Sequence, residues 1–360
     1  VFKQMYDKNA IYKGLRVSLF CPHCSTPISN LAVVMDADNY IQVTAAADTY
    51  KYKIDKDTYI LAWSTTPWNK IVTPALAVNP KHLYVKVKQG NEYYILAKTT
   101  LKILKEEKYK IIEEFKGEKL VGTKFEPHYD YYKDRIKKGD KAFEVVSDEF
   151  VTLDEGTGVV TIAAYGEEDL RVMNEQKIHI EMHVDDEGIV KEDVPKFGGM
   201  YYLKANKAVN EDLLERGLLY KEENYTHSVA HCWRCATRLF YNPKNAWFVD
   251  IQDIKDKLKK TNEEVNWFPK HFKTGRFLKS IESAPDWNIS RSRYWGSPVP
   301  VWECECKERF VPGSIAELEV ASGQKVNDLH KPEIDEVLVN CKKSAILFSI
   351  IALTIAIFNC

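Results

Sequence analysis

Apolar positions along the chain fall mostly into short runs bounded by turn residues. Thr58-Tyr-Ile-Leu-Ala-Trp63 is such a run and stops at a Ser-Thr-Thr-Pro corner, the pattern of a strand entering a turn. Tyr84 to Lys88 alternates, breaks at Gln89-Gly-Asn91 and resumes at Glu92 to Ala97, which predicts a hairpin. Gly156-Thr-Gly-Val-Val-Thr-Ile-Ala163 reads as a buried strand entered through glycines, followed by a helix over 170–176 with Glu167, Glu168 and Asp169 at its start. Helical spacing is also present over 99–108, over 206–217 up to a terminating glycine, and after Trp247 over 251–260 and 271–283. The expected fold is therefore mixed α/β and sheet-rich. No repeat of fixed period and no Pro-, Gly- or Ser-rich linker interrupts it.

Composition adds two exclusions. With 51 Lys+Arg against 52 Asp+Glu the chain carries a formal charge of -1, so a nucleic-acid partner must be met by local patches or by shape. Hydrophobic residues at 45% and charged residues at 29% describe a folded chain, and 360 residues predict two or three domains. The apolar run 345–358 is 14 residues long, too short to span a bilayer.

Six of the eight cysteines fall into close pairs: Cys21/Cys24, Cys232/Cys235 and Cys304/Cys306, with Cys341 and Cys360 apart. Nothing near Val1 has the form of a signal peptide, and Cys-x-x-Cys spacing suits a tetrahedral zinc site; free structural thiols and redox motifs are the alternatives. If the first two pairs share a metal, the segment between them is an insertion whose ends meet at a zinc ribbon.

Two further segments carry candidate chemistry. Ser64-Thr-Thr-Pro-Trp68 brings three hydroxyls to one corner, suited to holding a water or a sugar hydroxyl, or else to an ordinary Ser/Thr turn. Asp169 is either a helix cap or a clamp for a ligand ammonium group.

Taken in order, Cys21-Pro-His-Cys24, Trp63-Ser-Thr-Thr-Pro-Trp68, Ala75-Leu-Ala-Val-Asn-Pro80, Gly156-Thr-Gly-Val-Val160, Gly166-Glu-Glu-Asp169, His231-Cys-Trp-Arg-Cys235, Ala246-Trp-Phe-Val249 and Asp286-Trp-Asn-Ile-Ser-Arg-Ser-Arg-Tyr-Trp-Gly296 resemble the isoleucyl-tRNA synthetases over residues 1–343. Pro67-Trp68 separates the chain from the valyl and leucyl relatives, which carry Thr-Arg-Pro there. The HIGH-type and KMSKS-type nucleotide motifs of that family are not found. The resemblance thus implies a β-barrel-rich editing domain inserted through a zinc ribbon into fragments of a Rossmann-type class I catalytic domain. The implied organisation is 1–44, end of the first catalytic half and first knuckle; 45–222, editing domain; 223–250, second knuckle and return linker; 251–303, start of the second catalytic half; 304–343, an incomplete second zinc region; and 344–360, an aberrant apolar tail that replaces the family's VWFDSG-like continuation.

The implied reaction is hydrolysis of valine wrongly esterified to isoleucine tRNA, by water attack; the full enzyme charges tRNA(Ile) with isoleucine using ATP and Mg2+. Ser64, Thr65, Thr66 and Asp169 are the implied catalytic residues, with Thr65 and Thr66 positioning the water and Asp169 gripping the α-ammonium. Trp68, Thr73, Gly156, Thr157, Gly158 and Thr161 are implied to bind the substrate or tRNA end. Cys21, Cys24, Cys232 and Cys235 are implied structural Zn2+ ligands, with Cys304, Cys306 and Cys341 an incomplete, vacant set whose fourth position is Ser344. A cytoplasmic monomer without a membrane partner is expected. Two positions depart from the family: Thr161 stands where a histidine is common and Thr73 where an asparagine is common. His179 or His183 is a candidate replacement for the missing histidine, and loss of editing, leaving a non-catalytic tRNA-binding module, is the alternative. Arg291 and Arg293 are expected either to face tRNA or adenylate or to serve the surface.

Overall fold

The computed structural model describes residues 1–34, 36–105, 108–291, 298–341, 347–350 and 354–355. Ser344, Cys360, Arg293 and most of the apolar tail lie outside these. Contacts divide the chain into one unit of Val17–Pro243 and another of Val1–Arg16 with Lys244–Cys360. This division keeps both Cys-x-x-Cys pairs with the 45–222 region.

In the first unit the strand Thr58–Ser64 is the hub. It pairs antiparallel with Asp48–Asp55 along its length. Its opposite edge is shared: Thr58 to Ile60 pair in parallel with Tyr93 to Ile95, and Trp63 pairs in parallel with Val160. Ile60, Leu61 and Ala62 are fully buried. Ile60 and Ala62 belong to the main core with Tyr50, Tyr52, Leu76 and Tyr84, whereas Leu61 joins a second core with Val85, Val87 and Leu96. Burial on both faces explains why this segment reads as a continuous apolar run and not as an alternation.

From the hub the sheet extends both ways. Val159–Ile162 pairs antiparallel with Ala75–Val78, which pairs in parallel with Glu144–Ser147. The predicted hairpin is Leu83–Gln89 with Glu92–Ala97, turning at Gly90 (φ +60°), and Lys110–Lys116 adds to its outer edge. Where helical spacing was expected over 99–108, Lys98–Ile103 forms a 3-10 helix. Among the described residues the pairings give a branched nine-stranded sheet and do not close the expected barrel. The helix Glu167–Gln176 buries Leu170 and lays Val172 and Met173 on Ala75, Ala77 and Ile162, with its three acidic residues in the first turn, where the helix dipole favours them. The helix Tyr202–Glu215 buries Tyr202, Ala205, Val209 and Leu213 at helical spacing and ends before Gly217 (φ +68°). A largely exposed ribbon, Tyr40–Ala46 against Asn224–Ala230, leads to the second cysteine pair.

The second unit builds its core around Trp247, packed edge-on by Phe2 and covered by Arg309, with Ile11, Val249, Ile289, Val299 and Val301. Helices Lys255–Glu264 and Leu278–Ser283 lie near the positions expected. Its described strand pairings are antiparallel: Phe248–Val249 with Trp287–Asn288, Trp302–Glu303 with Arg309–Phe310, and Leu347–Ile350 with both Trp302–Glu303 and Val339–Asn340. These pairings do not form the parallel Rossmann layers that were expected. The tail strand Leu347–Ile350 is part of this sheet.

Two glycines of the Gly-Thr-Gly segment are fixed by packing. Gly158 has φ +73°, and a Cβ there would lie 2.6 Å from the Cβ of Ala97; at Gly156 (φ +66°) it would lie 2.9 Å from the Cβ of Trp63. Gly217 also has positive φ but has nothing within 4 Å of a Cβ. Gly158→Ala is expected to lower stability by ~2–4 kcal/mol, from overpacking and backbone strain together, and Gly217→Ala by only ~1 kcal/mol. Urea unfolding of the two variants checks the difference.

Candidate functional site

The Ser-Thr-Thr-Pro corner leaves the end of the hub strand and passes into a 3-10 helix, Pro67–Ile71. With three residues per turn, side chains at i and i+3 eclipse. Pro67 and Lys70 therefore bury together, as do Trp68 and Ile71, while Thr66 and Asn69 share the remaining, half-exposed face. Asn69 Nδ2 donates to Thr66 Oγ1 at 3.2 Å, Ser64 Oγ is 3.2 Å from Thr66 Oγ1, and the Thr66 N–H donates to Ser64 Oγ at 3.2 Å. The result is a small hydroxyl–amide cluster at the mouth of a cleft.

That cleft, about 280 Å3, is lined by Thr65, Thr66, Trp68, Asn69, Tyr165, Tyr202, Asn206, His227 and Arg238, among others. Its aromatic wall is interlocked. Trp68 meets Tyr165 edge-to-face at 4.6 Å and Tyr202 at 5.5 Å, and the backbone N–H of Trp68 donates to Asn206 Oδ1 at 3.0 Å. Mutual aromatic contacts of this kind hold the wall close-packed.

Thr161 and Asp169 meet the buried face of the same 3-10 helix through Lys70. This side chain, 1% exposed, donates from Nζ to Thr161 Oγ1 at 2.6 Å and lies 5.4 Å from the Tyr50 ring centroid. Burial drives its ammonium down to about 7, against the opposing pull of Asp169 and Asp48. Asp169 is half-buried and accepts from the Ala163 N–H at 3.2 Å. Burial pushes its carboxyl up to about 6, opposed by that N–H and by Lys70. Asp169 is thus engaged with the sheet end and Lys70, not with a capping bond.

Other expected site residues lie elsewhere. Thr73 is buried; its hydroxyl donates to the Asn69 carbonyl at 3.3 Å and accepts from the Tyr52 hydroxyl at 3.4 Å, and it borders a separate small cavity with Tyr129 and Tyr132. Thr157 is buried, with its hydroxyl and carbonyl spent on Val159, Ala97 and Thr100. Gly156 and Gly158 hold Trp63 and Ala97 close.

The two histidines proposed as replacements do not fit that role. His183 is fully buried, its Nε2 3.1 Å from the Trp68 carbonyl and its Nδ1 3.2 Å from the Tyr165 hydroxyl, and burial drives it down to about 3. Locked and neutral, it supports the aromatic wall. His179 borders the Thr73 cavity, facing Asp140 and Glu181. The histidine that does line the cleft is His227, stacked on Tyr225 at 5.5 Å. Its place in an alternating ribbon, Tyr225-Thr-His227, was the signal available in sequence, although that pattern fits any exposed strand. Asn69 and Lys70 were also missed, since neither belongs to a periodic or spaced pattern in the sequence.

The cysteine spacing brings together what it promised. The ligand sulfurs of Cys21, Cys24, Cys232 and Cys235 all lie within 4.8 Å of one another, with Cys21 to Cys235 at 3.5 Å and Cys24 to Cys235 at 3.6 Å. None is in a disulfide, and the Cys24 N–H points at the Cys21 sulfur at 3.4 Å, as in a metal knuckle. Four converging sulfurs in a pocket of Leu19, Ile28, Val33 and Leu239 have the donor set and compactness of a tetrahedral zinc site. Cys304, Cys306 and Cys341 also converge within 4.8 Å, and their fourth position lies outside the described residues.

A family model described as tRNA synthetases class I (I, L, M and V) matches residues 1–346. An isoleucine–tRNA ligase of Clostridium acetobutylicum is 43% identical over 347 residues, covering 95% of this chain and 33% of that protein. That of Clostridium novyi is 44% identical over 345 residues, covering 94% and 32%, and that of Bacillus thuringiensis is 40% identical over 346, covering 94% and 33%. The chain thus spans about a third of the length of these curated relatives. Among solved structures, the cytosolic leucyl-tRNA synthetase editing domain of P. knowlesi has a TM-score of 0.39 at 12% identity, covering 53% of this chain and 100% of that one. By its family match, the chain belongs to the class I tRNA synthetases of the isoleucine, leucine, methionine and valine group.

Proposed function

We propose that the cleft beside Thr65, Thr66 and Asn69 hydrolyses valine from mischarged isoleucine tRNA. One missing methylene is worth only ~1–3 kcal/mol in a hydrophobic pocket, so a synthetase for isoleucine needs a second sieve that destroys the smaller product. The observation that carries the reading is the hydroxyl–amide cluster set against an interlocked aromatic wall, in a chain whose curated relatives are isoleucine–tRNA ligases. Among the described residues of the cleft there is no cysteine, and no serine or threonine hydroxyl is bonded to a histidine. Water is the nucleophile of the proposal.

Thr65 and Thr66 hold the water, with Ser64 and Asn69 bonded to Thr66 beside them, and Asp169, which is not among the residues lining the cleft, is assigned the substrate's α-ammonium by the resemblance. The water oxygen bonds to the ester carbonyl carbon, the bond to the ribose oxygen breaks, and the proton ends on the freed ribose hydroxyl, giving valine and uncharged tRNA. Thr161 contacts an adenosine hydroxyl. Zinc held by Cys21, Cys24, Cys232 and Cys235 supplies a structural tie and takes no part in the step. For a protein of the relatives' full length we propose ATP- and Mg2+-dependent charging of tRNA(Ile) in addition. A non-catalytic tRNA-binding role is favoured only by the engagement of Thr161 with Lys70 and of Thr73 with the core.

Deacylation assays with valyl- and isoleucyl-tRNA(Ile) test this. Hydrolysis selective for valine, slowed at least ~10-fold in both Thr66→Ala and Asp169→Ala, is expected; no rate above background in the parent favours the binding module.

Asp169 sets a pH dependence. Its carboxyl, raised to about 6, grips an ammonium only when ionised, so KM is expected to rise as pH falls from 7 to 5. In Asp169→Asn that rise should be absent; a KM that stays flat in the parent argues against the role.

Elemental analysis should find one tightly held zinc per chain, lost in Cys232→Ser together with a lowered melting temperature. Retention of two zinc ions after dialysis would show that the Cys304, Cys306 and Cys341 set is complete.

A further inference from the structure

Lys70 is a buried cation at a place where burial has to be justified. An unpaired ammonium in a protein interior is costly, and a lysine in an Asn-Lys turn has easy access to water. Here the 3-10 period turns it inward, and its described hydrogen bond goes to the hydroxyl of Thr161 at 2.6 Å. Thr161 is half-exposed, and among the described residues Lys70 is the hydrogen-bond partner found for its side chain.

The donor inventory fixes the polarity of that hydroxyl. An ammonium has three N–H donors and no lone pair, so Thr161 Oγ1 accepts, and its own O–H is left to donate elsewhere. We propose that Lys70, from outside the residues that line the cleft, is a positioning residue that turns the Thr161 hydroxyl to donate toward the ribose oxygens of the tRNA terminal adenosine. The inference rests on the editing function proposed above. A threonine hydroxyl on its own rotates freely, and an ammonium on one of its two lone pairs keeps the O–H turned away from Lys70, where it can donate to a neighbour.

The charged form of Lys70 is held by its surroundings. Asp169 on the helix Glu167–Gln176 and Asp48 on the strand Asp48–Asp55 favour it electrostatically, and the Tyr50 ring faces it. His128, also coupled to it, is driven down to about 3 by burial and is neutral near pH 7. Burial opposes the charge and brings the lysine to about 7, so above neutral pH the amine gains a lone pair that competes for the Thr161 proton.

The test uses the full chain with valyl-tRNA(Ile), comparing the parent, Lys70→Met, Thr161→Val and the double variant. Expected is a loss of about tenfold in kcat/KM in each single variant and no further loss in the double, because both remove one arrangement. The ratio of parent to Lys70→Met rates should also fall as pH rises from 6 to 9, which a merely structural role would not produce. A Lys70→Met rate equal to the parent's, multiplying losses in the double variant, or a pH-independent ratio overturns the proposal. A parent that does not hydrolyse valyl-tRNA overturns the editing function itself and this role with it.

Folding is read separately. Lys70→Met places an unbranched apolar chain in an apolar setting, so its melting temperature at pH 6 should equal or exceed the parent's. As pH rises from 7 to 10 the advantage should shrink, because the unfolded parent then binds a proton that the folded parent has released. A Lys70→Met protein that is less stable than the parent at pH 6 also overturns the proposal, since Lys70 would then be serving the fold.

Discussion

Everything near the cleft depends on one strand being covered on both faces and paired on both edges. Thr58–Ser64 is held by Asp48–Asp55 on one side and by two different strands in succession on the other. A strand so constrained cannot slip by a residue without moving every apolar side chain to the wrong core. Its last residue, Ser64, is consequently delivered to a fixed point, and the Thr65–Trp68 corner starts from there. The change of partner along the second edge matters equally, because it brings Val159–Ile162 alongside Trp63 and so carries Thr161 toward the corner.

The 3-10 helix converts this placement into chemistry. Its short period divides five residues between two environments, turning Asn69 toward Thr66 and Lys70 toward Thr161. An α-helical turn at the same place would advance by 100° per residue and would not eclipse Thr66 with Asn69 or Pro67 with Lys70. The site is thus specified by the local helix type as much as by residue identity.

This also explains which parts were legible beforehand. The hub strand, the hairpin and the Cys-x-x-Cys pairs are local patterns with a strong physical cause, namely two-sided burial, a glycine turn and thiolate spacing. Asn69 and Lys70 carry no such signal, since a polar pair after Pro-Trp ordinarily faces water, and only tertiary packing makes one of them a buried cation. Thr73 shows the reverse relation between motif and placement. Its position in the motif suggested a ligand contact, but the chain has by then left the 3-10 helix and its hydroxyl is consumed by Tyr52 and the Asn69 carbonyl. The barrel and the Rossmann layers were expectations of resemblance, and the strand pairings among the described residues display neither.

The meeting of Cys21 and Cys235 joins positions 214 residues apart in sequence. The entropy of closing a flexible loop grows only with the logarithm of its length, about 0.6 kcal/mol for each doubling. A clamp at the base of so long an excursion is therefore almost indifferent to what lies above it. Loops between the two knuckles can gain or lose many residues while the neck keeps nearly the same hold. The unit's outline is in this sense free to drift, and the strand register around Ser64, not the length of the chain, is what fixes the cleft.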